Sequence, residues 1–510
     1  MTALNLNEWM NKRFNIHQPA FNYRVLFAAA IVFIITAYNS DGYYGTDEQF
    51  HIIEFAKIKL GLNQVSDMPW GYNERFRSSV QPVICLLVFK FAGILHISDP
   101  YTFAFLLRLL SACLALGIIY HFICHTQHLV SAKNARIAYH LLSYFLWFIP
   151  FLSVRFSAET WGGLFFLFTL TLYFSLKQQS KRYFLIGCAL GLSFLFRFQM
   201  IFAAVGFVLY LMIVDKLSLK AIGSLIAGSC IVLLAGNMLD CWFYGTPVFT
   251  LWNYFYAFFD NTIHEDSAGF GTSPWYTYLE QLLRDPGYFL GVTLILAIIV
   301  LIVKQPKNIF LWSFLSFFII HSCIGHKEER FIFPVIYLFP VMLILAYEMT
   351  VSYLRGAVLS IFNYLLVSIL LLLNFIGLFF LGICFAGNGK IVITKYIHDH
   401  YSEKPIHIVQ SSWHDVYDKH GNIIPYKEKT MDQVVIGNLC DLTDSILIPG
   451  KENLLIIQKR SLELKSCASA ISEHHFVLKK QSVPTWFEWI NNNFYYGFDG
   501  LDIYMVYRKE

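Results

Sequence analysis

Long apolar segments alternate with short polar loops along most of this chain. Runs of apolar residues long enough to cross a hydrocarbon core of about 30 Å begin near eleven positions, which are Val25, Tyr101, Ala135, Thr160, Tyr183, Ile201, Ala221, Tyr288, Phe310, Ile332 and Ile361. Runs this long are typical of transmembrane helices. The pattern therefore predicts an all-α polytopic membrane domain with about eleven spans, covering residues 1–386.

The apolar pattern changes near Gly387, and residues 387–510 alternate short apolar runs with turn-forming residues. Five segments have strand character, namely 406–410, 433–437, 445–448, 454–458 and 502–508. We expect a small α/β or α+β extramembrane domain here. Cys440 and Cys467 both lie in it, and a disulfide between them is compatible with a non-cytoplasmic position.

One further apolar run, within residues 78–96, is assigned by the charges of the loops that follow it. If this run does not cross, the loops rich in Lys and Arg all fall on the same side as the basic N-terminus, as the positive-inside rule requires. We therefore interpret it as an interfacial helix broken by Pro82, with an ordinary span as the alternative. Several loops and the tail then lie on the non-cytoplasmic face, namely 41–79, 155–159, 244–286, 326–330 and 387–510.

The composition agrees with a membrane protein. Hydrophobic residues make up 56% of the chain and charged residues 14%, whereas an average soluble domain carries about 25% charge. The net charge is only +4 and its positive residues are scattered through short loops, so nucleic acid is not an expected partner. The ten cysteines show no metal-binding spacing, and no Asn-x-Ser/Thr sequon is present. The missing sequon favours a bacterial inner membrane over the endoplasmic reticulum, which stays the alternative.

Two clusters of ionisable residues interrupt the apolar pattern on the predicted outer face. The run 326–330, His-Lys-Glu-Glu-Arg, directly precedes a span and offers cations for an anionic headgroup with carboxylates to hold them. Charged side chains that only reach the interface from a helix end are the alternative. Asp47 and Glu48 follow the first span, where a carboxylate can act as general base towards a hydroxyl. The same pair could cap a helix.

These clusters also resemble a known family. The segment 326–334, HKEERFIFP, resembles the HKE-x-RFI-x-P signature of the mannosyltransferases that use dolichyl-phosphate-mannose in GPI-anchor and lumenal N-glycan assembly. Asp47-Glu48, followed by Arg77 and Pro82, resembles the first outer loop of GT-C glycosyltransferases. The segments 240–245, DCWFYG, and 271–276, GTSPWY, resemble a further region of the same mannosyltransferases, and the likeness covers roughly residues 24–350.

The resemblance implies a GT-C fold and an inverting transfer of mannose from a polyprenyl-phosphate-mannose donor to an outer-face glycan or glycolipid, with no metal or other cofactor. It implies thirteen site residues: Asp47 and Glu48 in catalysis, His326, Lys327, Arg330, Arg77 and Arg197 at the donor phosphate, and Glu74, Glu159, Gln199, Tyr244, Trp275 and Tyr276 at the substrates. A polysaccharide polymerase or ligase, or a flippase for polyprenyl-linked saccharides, remains the alternative. A flippase would favour internal repeats and charged residues within spans.

The topology is open to direct measurement. If residues 78–96 do not cross, a cysteine introduced at Ser131 is cytoplasmic and one at Lys451 is not. In intact cells carrying a variant without the native cysteines, a membrane-impermeant thiol reagent should label position 451 and leave position 131 unlabelled until the cells are opened. Labelling at position 131 in intact cells would contradict the interfacial helix.

Overall fold

The computed structural model describes most of the chain. The described residues are 19–68, 70–175, 179–263, 271–351, 353, 357–387, 389–411, 416–417, 431–462, 465–490, 492–493 and 503–509. They form two compact units. The first consists of Met1–Asn39, Asp47–His96 and Phe105–Cys384, and the second of Ser40–Thr46, Ile97–Ala104 and Phe385–Glu510.

The regular secondary structure in the described part of the first unit is helical. Its α-helices up to the middle of the chain are Pro19–Asn39, Thr46–Glu48, Glu54–Lys59, Trp70–Asn73, Val80–Ile94, Pro100–Thr126, Lys133–Phe145, Phe148–Ser153, Ala158–Ser175, Gln179–Phe196, Ile201–Ile213 and Leu219–Tyr244. The later ones are Thr250–Ile263, Thr277–Arg284, Tyr288–Lys304, Ile309–Cys323, Phe339–Val351 and Ala357–Ile383. Short π- or 3-10 segments lie between them at Gln49–Ile53, Val65–Asp67, Gln127–Leu129, Phe198–Met200 and Glu329–Leu338.

All eleven predicted spans begin within helical segments. Among the described residues, five helices are long and apolar enough to cross a membrane by length and composition, namely Asn22–Asn39, Pro100–Leu129, Leu219–Tyr244, Glu329–Val351 and Val358–Ile383. Shorter apolar helices accompany them, and Val80–Ile94 is one of these. At 1.5 Å per residue, its 15 residues extend about 22 Å, which is less than the hydrocarbon thickness. The predicted helical membrane domain is confirmed, whereas the non-crossing of this helix stays a prediction.

Glycines bring two of these helices into backbone contact. A Cβ atom built on Gly187 would lie 2.0 Å from the carbonyl oxygen of Leu225, and one built on Gly228 would lie 2.1 Å from that of Phe184. The helices Gln179–Phe196 and Leu219–Tyr244 therefore meet through residues that lack side chains. Ser229 also donates a hydrogen bond to the Gly187 carbonyl at 2.9 Å. In lipid the hydrophobic effect gives no attraction between helices, so close packing at small residues and interhelical hydrogen bonds hold such a pair together.

The second unit contains a small mixed sheet. Its strands are β1 (Ile406–Ser411), β2 (Met431–Ile436), β3 (Glu452–Gln458), β4 (Phe476–Gln481) and β5 (Tyr504–Lys509) in the order β2-β1-β3-β5-β4. β1 pairs in parallel with β2 and β3, and β5 pairs antiparallel with β3 and β4. The α-helices Gly389–Tyr401, Lys465–Glu473 and Thr485–Ile490 and the 3-10 turns Leu439–Asp441, Asp444–Ile446 and Lys459–Leu462 complete the described part.

The centre of this sheet is apolar and its edge is polar. In register, Val409 lies opposite Val434 on one side and Leu455 on the other, and Leu455 lies opposite Tyr507. These residues belong to one cluster with apolar side chains of the helix Lys465–Glu473. Since β3 is covered on both faces, it appears in the sequence as a continuous apolar run. The predicted α/β or α+β domain is confirmed.

Two strand assignments from sequence were wrong. Residues 445–448 contain part of a 3-10 turn, Asp444–Ile446, and no strand; Asp444 there forms ion pairs with His474 and Lys509. β4 was missed because its residues are largely exposed and include Lys479 and Lys480, a polarity that protects an edge strand.

The pairing of Cys440 with Cys467 stays a prediction. Cys440 is disulfide-bonded, while the side chain of Cys467 lies outside the described residues.

Two loop segments belong to the second unit because they bind its first helix. Lys395 forms an ion pair with Asp41, and His398 forms one with Asp99 at 3.0 Å. The Tyr101 hydroxyl donates to Thr394 Oγ1 at 3.2 Å. The helix Gly389–Tyr401 is thus fixed to both 40–46 and 97–104.

The glycine crossing gives a stability prediction. We expect Gly228→Ala to destabilise the folded protein by about 1–3 kcal/mol, since its Cβ cannot fit beside the Phe184 carbonyl. Gly223→Ala, on the same helix with no heavy atom within 4 Å of its Cβ, should be neutral or slightly stabilising because alanine favours helix. Thermal unfolding of the purified variants in one detergent measures both. Equal midpoints for the two variants would contradict the packing argument.

Candidate active site

The candidate site begins where the chain leaves the first apolar helix. Residues 46–59 are helical, with a π-helical turn at Gln49–Ile53. Asp47 and His51 are four residues apart and therefore share one face of this segment. His51 Nδ1 lies 2.8 Å from Asp47 Oδ1, and both side chains are 13% exposed. Since an ionised carboxylate only accepts hydrogen bonds, the imidazole donates its Nδ1–H.

Three arginines face the other carboxylate oxygen of Asp47. Arg330 Nη1 lies 3.0 Å, Arg77 Nη2 3.3 Å and Arg197 Nη1 4.0 Å from Asp47 Oδ2. Arg77 precedes the helix Val80–Ile94, Arg197 precedes the turn Phe198–Met200, and Arg330 lies in the first turn of Glu329–Leu338. Distant parts of the sequence thus place positive charge around one buried carboxylate.

Glu159 balances two of these arginines from the helix Ala158–Ser175. Its Oε1 lies 3.1 Å from Arg197 Nη1 and 3.9 Å from Arg330 Nη1. The two glycines that follow on this helix bring the arginine-bearing segments close. A Cβ on Gly162 would lie 2.7 Å from the Cβ of Arg197, and one on Gly163 would lie 2.4 Å from the carbonyl oxygen of Pro334. The small residues therefore determine how closely the charges approach.

Glu48 faces a fourth arginine. Its Oε2 lies 3.9 Å from Arg155 Nη1, and the side chains are 8% and 2% exposed. Arg155 lies just before the helix Ala158–Ser175, and its guanidinium lies over the ring of Phe151, 5.3 Å from the centroid. Glu48 therefore follows Asp47 directly in the sequence but faces a different arginine.

Within the run 326–330, the side chains point to different partners. His326 Nε2 lies 3.1 Å from Glu328 Oε1, and the other oxygen of Glu328 accepts a hydrogen bond from Arg330 Nε. Lys327 donates to the backbone carbonyls of Ser273 and Ile324. Arg330 thus has Glu328 as a third carboxylate partner beside Asp47 and Glu159, whereas Lys327 is held by backbone carbonyls.

The surroundings fix the protonation states of the first two residues. Burial opposes ionisation of Asp47, but the charge of Arg77, the hydrogen bond from His51 and the charge of Arg330 together hold the pKa of this carboxyl well below its usual value. Burial, together with Arg77 and Arg330, lowers the pKa of His51, against the opposing effect of Asp47. Near neutral pH, Asp47 is therefore an anion and His51 is neutral.

The charges of the described cluster balance. Four guanidinium groups, of Arg77, Arg155, Arg197 and Arg330, face four carboxylates, of Asp47, Glu48, Glu159 and Glu328. A buried charge is costly unless it is paired, so the balance explains why so many ionisable groups are tolerated next to apolar helices. Among the described residues, no group of three or more His, Cys, Asp or Glu could hold a metal ion.

A family comparison matches this chain over residues 24–417 to the model of the Alg9-like mannosyltransferase family. This range includes every residue of the charged cluster. The chain belongs to the Alg9-like mannosyltransferase family. It is a membrane glycosyltransferase, as its sequence predicts.

Individual relatives agree with this family. GPI mannosyltransferase 3 of Candida albicans is 27% identical over 379 residues, which cover 72% of this chain and 71% of that protein. A probable Dol-P-Man:Man(7)GlcNAc(2)-PP-Dol alpha-1,6-mannosyltransferase of Schizosaccharomyces pombe is 32% identical over 108 residues, 21% of this chain and 19% of that protein. GPI alpha-1,2-mannosyltransferase 3 of Danio rerio is 26% identical over 277 residues, 52% of this chain and 49% of that protein.

A solved structure shares the fold. ArnT from Cupriavidus metallidurans, crystallised with undecaprenyl phosphate, superposes with a TM-score of 0.52 at 9% sequence identity, covering 95% of this chain and 97% of that one. At this identity the likeness concerns the fold alone. It agrees with the GT-C architecture that the Alg9-like chain was expected to have.

The structure brings together part of the predicted site. Asp47, Arg77, Glu159, Arg197 and Arg330 meet in one cluster. The other eight predicted residues make separate contacts or are exposed. Glu48 faces Arg155, His326 contacts Glu328, and Lys327 and Tyr244 donate to backbone carbonyls. Glu74 is exposed, Gln199 is half-buried in the turn after Arg197, and Trp275 and Tyr276 are 70% and 43% exposed. The roles of all thirteen residues in this Alg9-like chain stay predictions.

Three cluster members were not assigned from sequence. His51, Arg155 and Glu328 all contact assigned residues. The i, i+4 spacing of Asp47 and His51 on a helix was a usable signal. Arg155 and Glu328 lie within motifs already singled out, but their ion pairs depend on how loops from distant helices meet.

Proposed function

We propose that this protein transfers mannose from a polyprenyl-phosphate-mannose donor to a hydroxyl of a glycan or glycolipid on the non-cytoplasmic face of the membrane. The observation that carries the proposal is the convergence of Arg77, Arg197 and Arg330 on Asp47, in a chain of the Alg9-like family. The name of the Schizosaccharomyces pombe relative, which includes Dol-P-Man, supports a lipid-phosphate donor.

In this proposal the arginines bind the donor phosphate. A guanidinium is always charged and presents several N–H donors in a plane, which suits phosphate oxygens. Arg330 and Arg77 are partly accessible, with side chains 13% and 26% exposed, while Arg197 is 5% exposed. His326 and Lys327 are the outlying cations of the same segment, and Lys327 reaches the phosphate only by leaving its carbonyl partners.

Donor binding then alters Asp47. Its pKa is low because the arginines and His51 stabilise the anion. A phosphate that shares Arg77 and Arg330 adds negative charge beside this carboxylate and weakens their hold on it, so the pKa of Asp47 rises. A stronger base is therefore formed only when the donor is in place.

The chemical step is one displacement. The acceptor oxygen attacks the anomeric carbon, the bond from that carbon to the phosphate oxygen breaks, and its electron pair leaves with the polyprenyl phosphate. The hydroxyl proton goes to Asp47. Attack from the opposite face inverts the anomeric centre, which turns a β-linked donor into an α-linked product. Glu48, held near Arg155, supports the base or orients the acceptor.

The fixed guanidinium groups supply the positive charge that stabilises the departing phosphate, so we expect transfer without an added metal ion. Glu74, Gln199, Trp275 and Tyr276 are left as candidates for sugar contacts. The lack of glycosylation sequons favours a bacterial inner membrane as the location, with the endoplasmic reticulum as the alternative.

The donor and the base are tested together. Purified protein in nanodiscs is incubated with polyprenyl-phosphate-mannose or its glucose analogue, with glycolipid extract as acceptor and with EDTA present, and released polyprenyl phosphate is measured. We expect release from the mannose donor, and a loss of at least about 10²-fold in Asp47→Asn, which cannot accept a proton. Release from the glucose donor alone would reject mannose. If Glu48→Gln loses activity and Asp47→Asn keeps it, Glu48 is the base; if both stay active, the acidic pair is structural.

The phosphate contact is tested at Arg330. We expect Arg330→Ala to lose about 2–4 kcal/mol of transition-state stabilisation in kcat/KM for the donor, because a charge-assisted contact to the leaving group disappears. Arg330→Lys should restore only part of it, since a two-pronged donor becomes a point charge. Arg284→Ala is the matched control, because this arginine is 55% exposed and pairs with Asp285 and Glu329 instead. Near-normal activity of folded Arg330→Ala would contradict the role.

A further inference from the structure

Residues 240–253 hold the segment that carries Arg77. These residues end the helix Leu219–Tyr244 and begin the helix Thr250–Ile263. Side chains on both segments take part, and no bond of the set involves a charged side chain of the cluster. We call residues 240–253 the clamp and residues 74–79 the held segment.

Asp240 fixes the end of the held segment. It is fully buried, and its Oδ1 accepts hydrogen bonds from the Ser79 backbone N–H at 2.7 Å and the Ser79 hydroxyl at 2.6 Å. Its Oδ2 accepts one from the Thr250 hydroxyl at 2.6 Å. Ser79 is the N-cap of the helix Val80–Ile94, so Asp240 also places a carboxylate at the positive end of that helix.

Tyr244 fixes the backbone of Arg77 itself. Its hydroxyl donates a hydrogen bond to the Arg77 carbonyl oxygen at 2.8 Å. The Tyr244 ring packs against the ring of Tyr72, 5.3 Å between centroids. Gly245 then ends the helix in a left-handed conformation with φ of +72°, which lets the chain turn directly after Tyr244.

Two more contacts fix the beginning of the held segment. Asn253 Nδ2 lies 3.3 Å from each of the carbonyl oxygens of Glu74 and Arg75. Arg75 Nη1 donates to Thr246 Oγ1 at 3.0 Å. Arg75 has a φ of +53°, a backbone conformation that non-glycine residues adopt rarely and that needs support from its surroundings.

We propose that Asp240, Tyr244 and Asn253 are positioning residues that hold the Arg77 backbone so that its guanidinium lies beside Asp47 and the donor phosphate. The inference rests on the proposed function, because it gives Arg77 a donor to bind. It assigns the DCWFYG segment and Asn253 a role through Arg77, and it replaces the direct substrate contact expected for Tyr244.

The arrangement has a physical purpose. An arginine side chain loses rotamer entropy when it is held in one conformation, and a mobile backbone would add to this loss. The clamp fixes the carbonyl oxygen of Arg77 and the backbone on either side of it. Only the Arg77 side chain then remains to be ordered on Asp47, where its Nη2 lies 3.3 Å from Oδ2. Preorganisation of this kind improves binding without a new contact to the ligand.

The test removes the Tyr244 hydroxyl alone. Tyr244→Phe keeps the ring and its packing, and we expect the KM for polyprenyl-phosphate-mannose to rise about three- to tenfold, the equivalent of one hydrogen bond, with kcat changed less than twofold. Tyr72→Phe is the matched control, since it removes a hydroxyl from the ring packed on Tyr244 and should leave both constants unchanged. Size-exclusion profiles in detergent confirm that each variant is folded.

A double-mutant cycle with Arg77→Ala separates positioning from general damage. If Tyr244 acts through Arg77, the double variant should be no worse than Arg77→Ala alone. Independent, multiplying losses would overturn the proposal, as would an unchanged donor KM in Tyr244→Phe while Arg77→Ala is impaired. An Arg77→Ala enzyme with a normal donor KM would reject the donor site itself and the clamp with it.

Discussion

The structure of the site depends on one buried anion. Asp47 lies next to apolar helices, where an unpaired carboxylate would cost several kcal/mol, and its charge is kept by Arg77, Arg197, Arg330 and His51. None of the arginines is close to Asp47 in sequence. The chain therefore has to bring loops from separate helices to one point, and the carboxylates of Glu159 and Glu328 are needed so that these arginines do not repel one another.

Packing of small residues makes this convergence possible. Gly162 and Gly163 lie one turn after Glu159, and they allow the backbones near Arg197 and Pro334 to approach the helix Ala158–Ser175 to within a distance that a methyl group would fill. The same principle joins the helices that contain Gly187 and Gly228. Apolar surface gives little attraction between helices in a membrane. The glycines of the helix Ala158–Ser175 therefore help to determine how closely the arginine-bearing segments approach Glu159.

The sequence predicted the elements better than their contacts. Apolar length alone located the helices, and the motif at 326–334 together with Asp47 and Glu48 indicated the family and the centre of the site. His51 and Arg155 were missed because their partners are defined by a helical face and by an inter-loop ion pair. Tyr244 was assigned to the substrates from the resemblance of the DCWFYG segment, and nothing in the sequence indicated its hydrogen bond to the Arg77 carbonyl, because that contact joins segments far apart in the chain. In the sheet, β4 was missed because it is an edge strand with charged residues and lacks the apolar pattern by which the other strands were recognised.

The balance of four arginines against four carboxylates also bears on when the proposed base becomes active. A base surrounded by guanidinium groups is weak, since the pKa of Asp47 lies well below its usual value. In the proposed mechanism a phosphate shares Arg77 and Arg330, so the basicity of Asp47 rises with donor binding. The same cations would then stabilise the leaving group and control the base. Without a donor, Asp47 would stay a poor proton acceptor. If the proposed roles hold, the energetic requirement that permits a buried charge here would also couple proton transfer to the presence of the lipid phosphate.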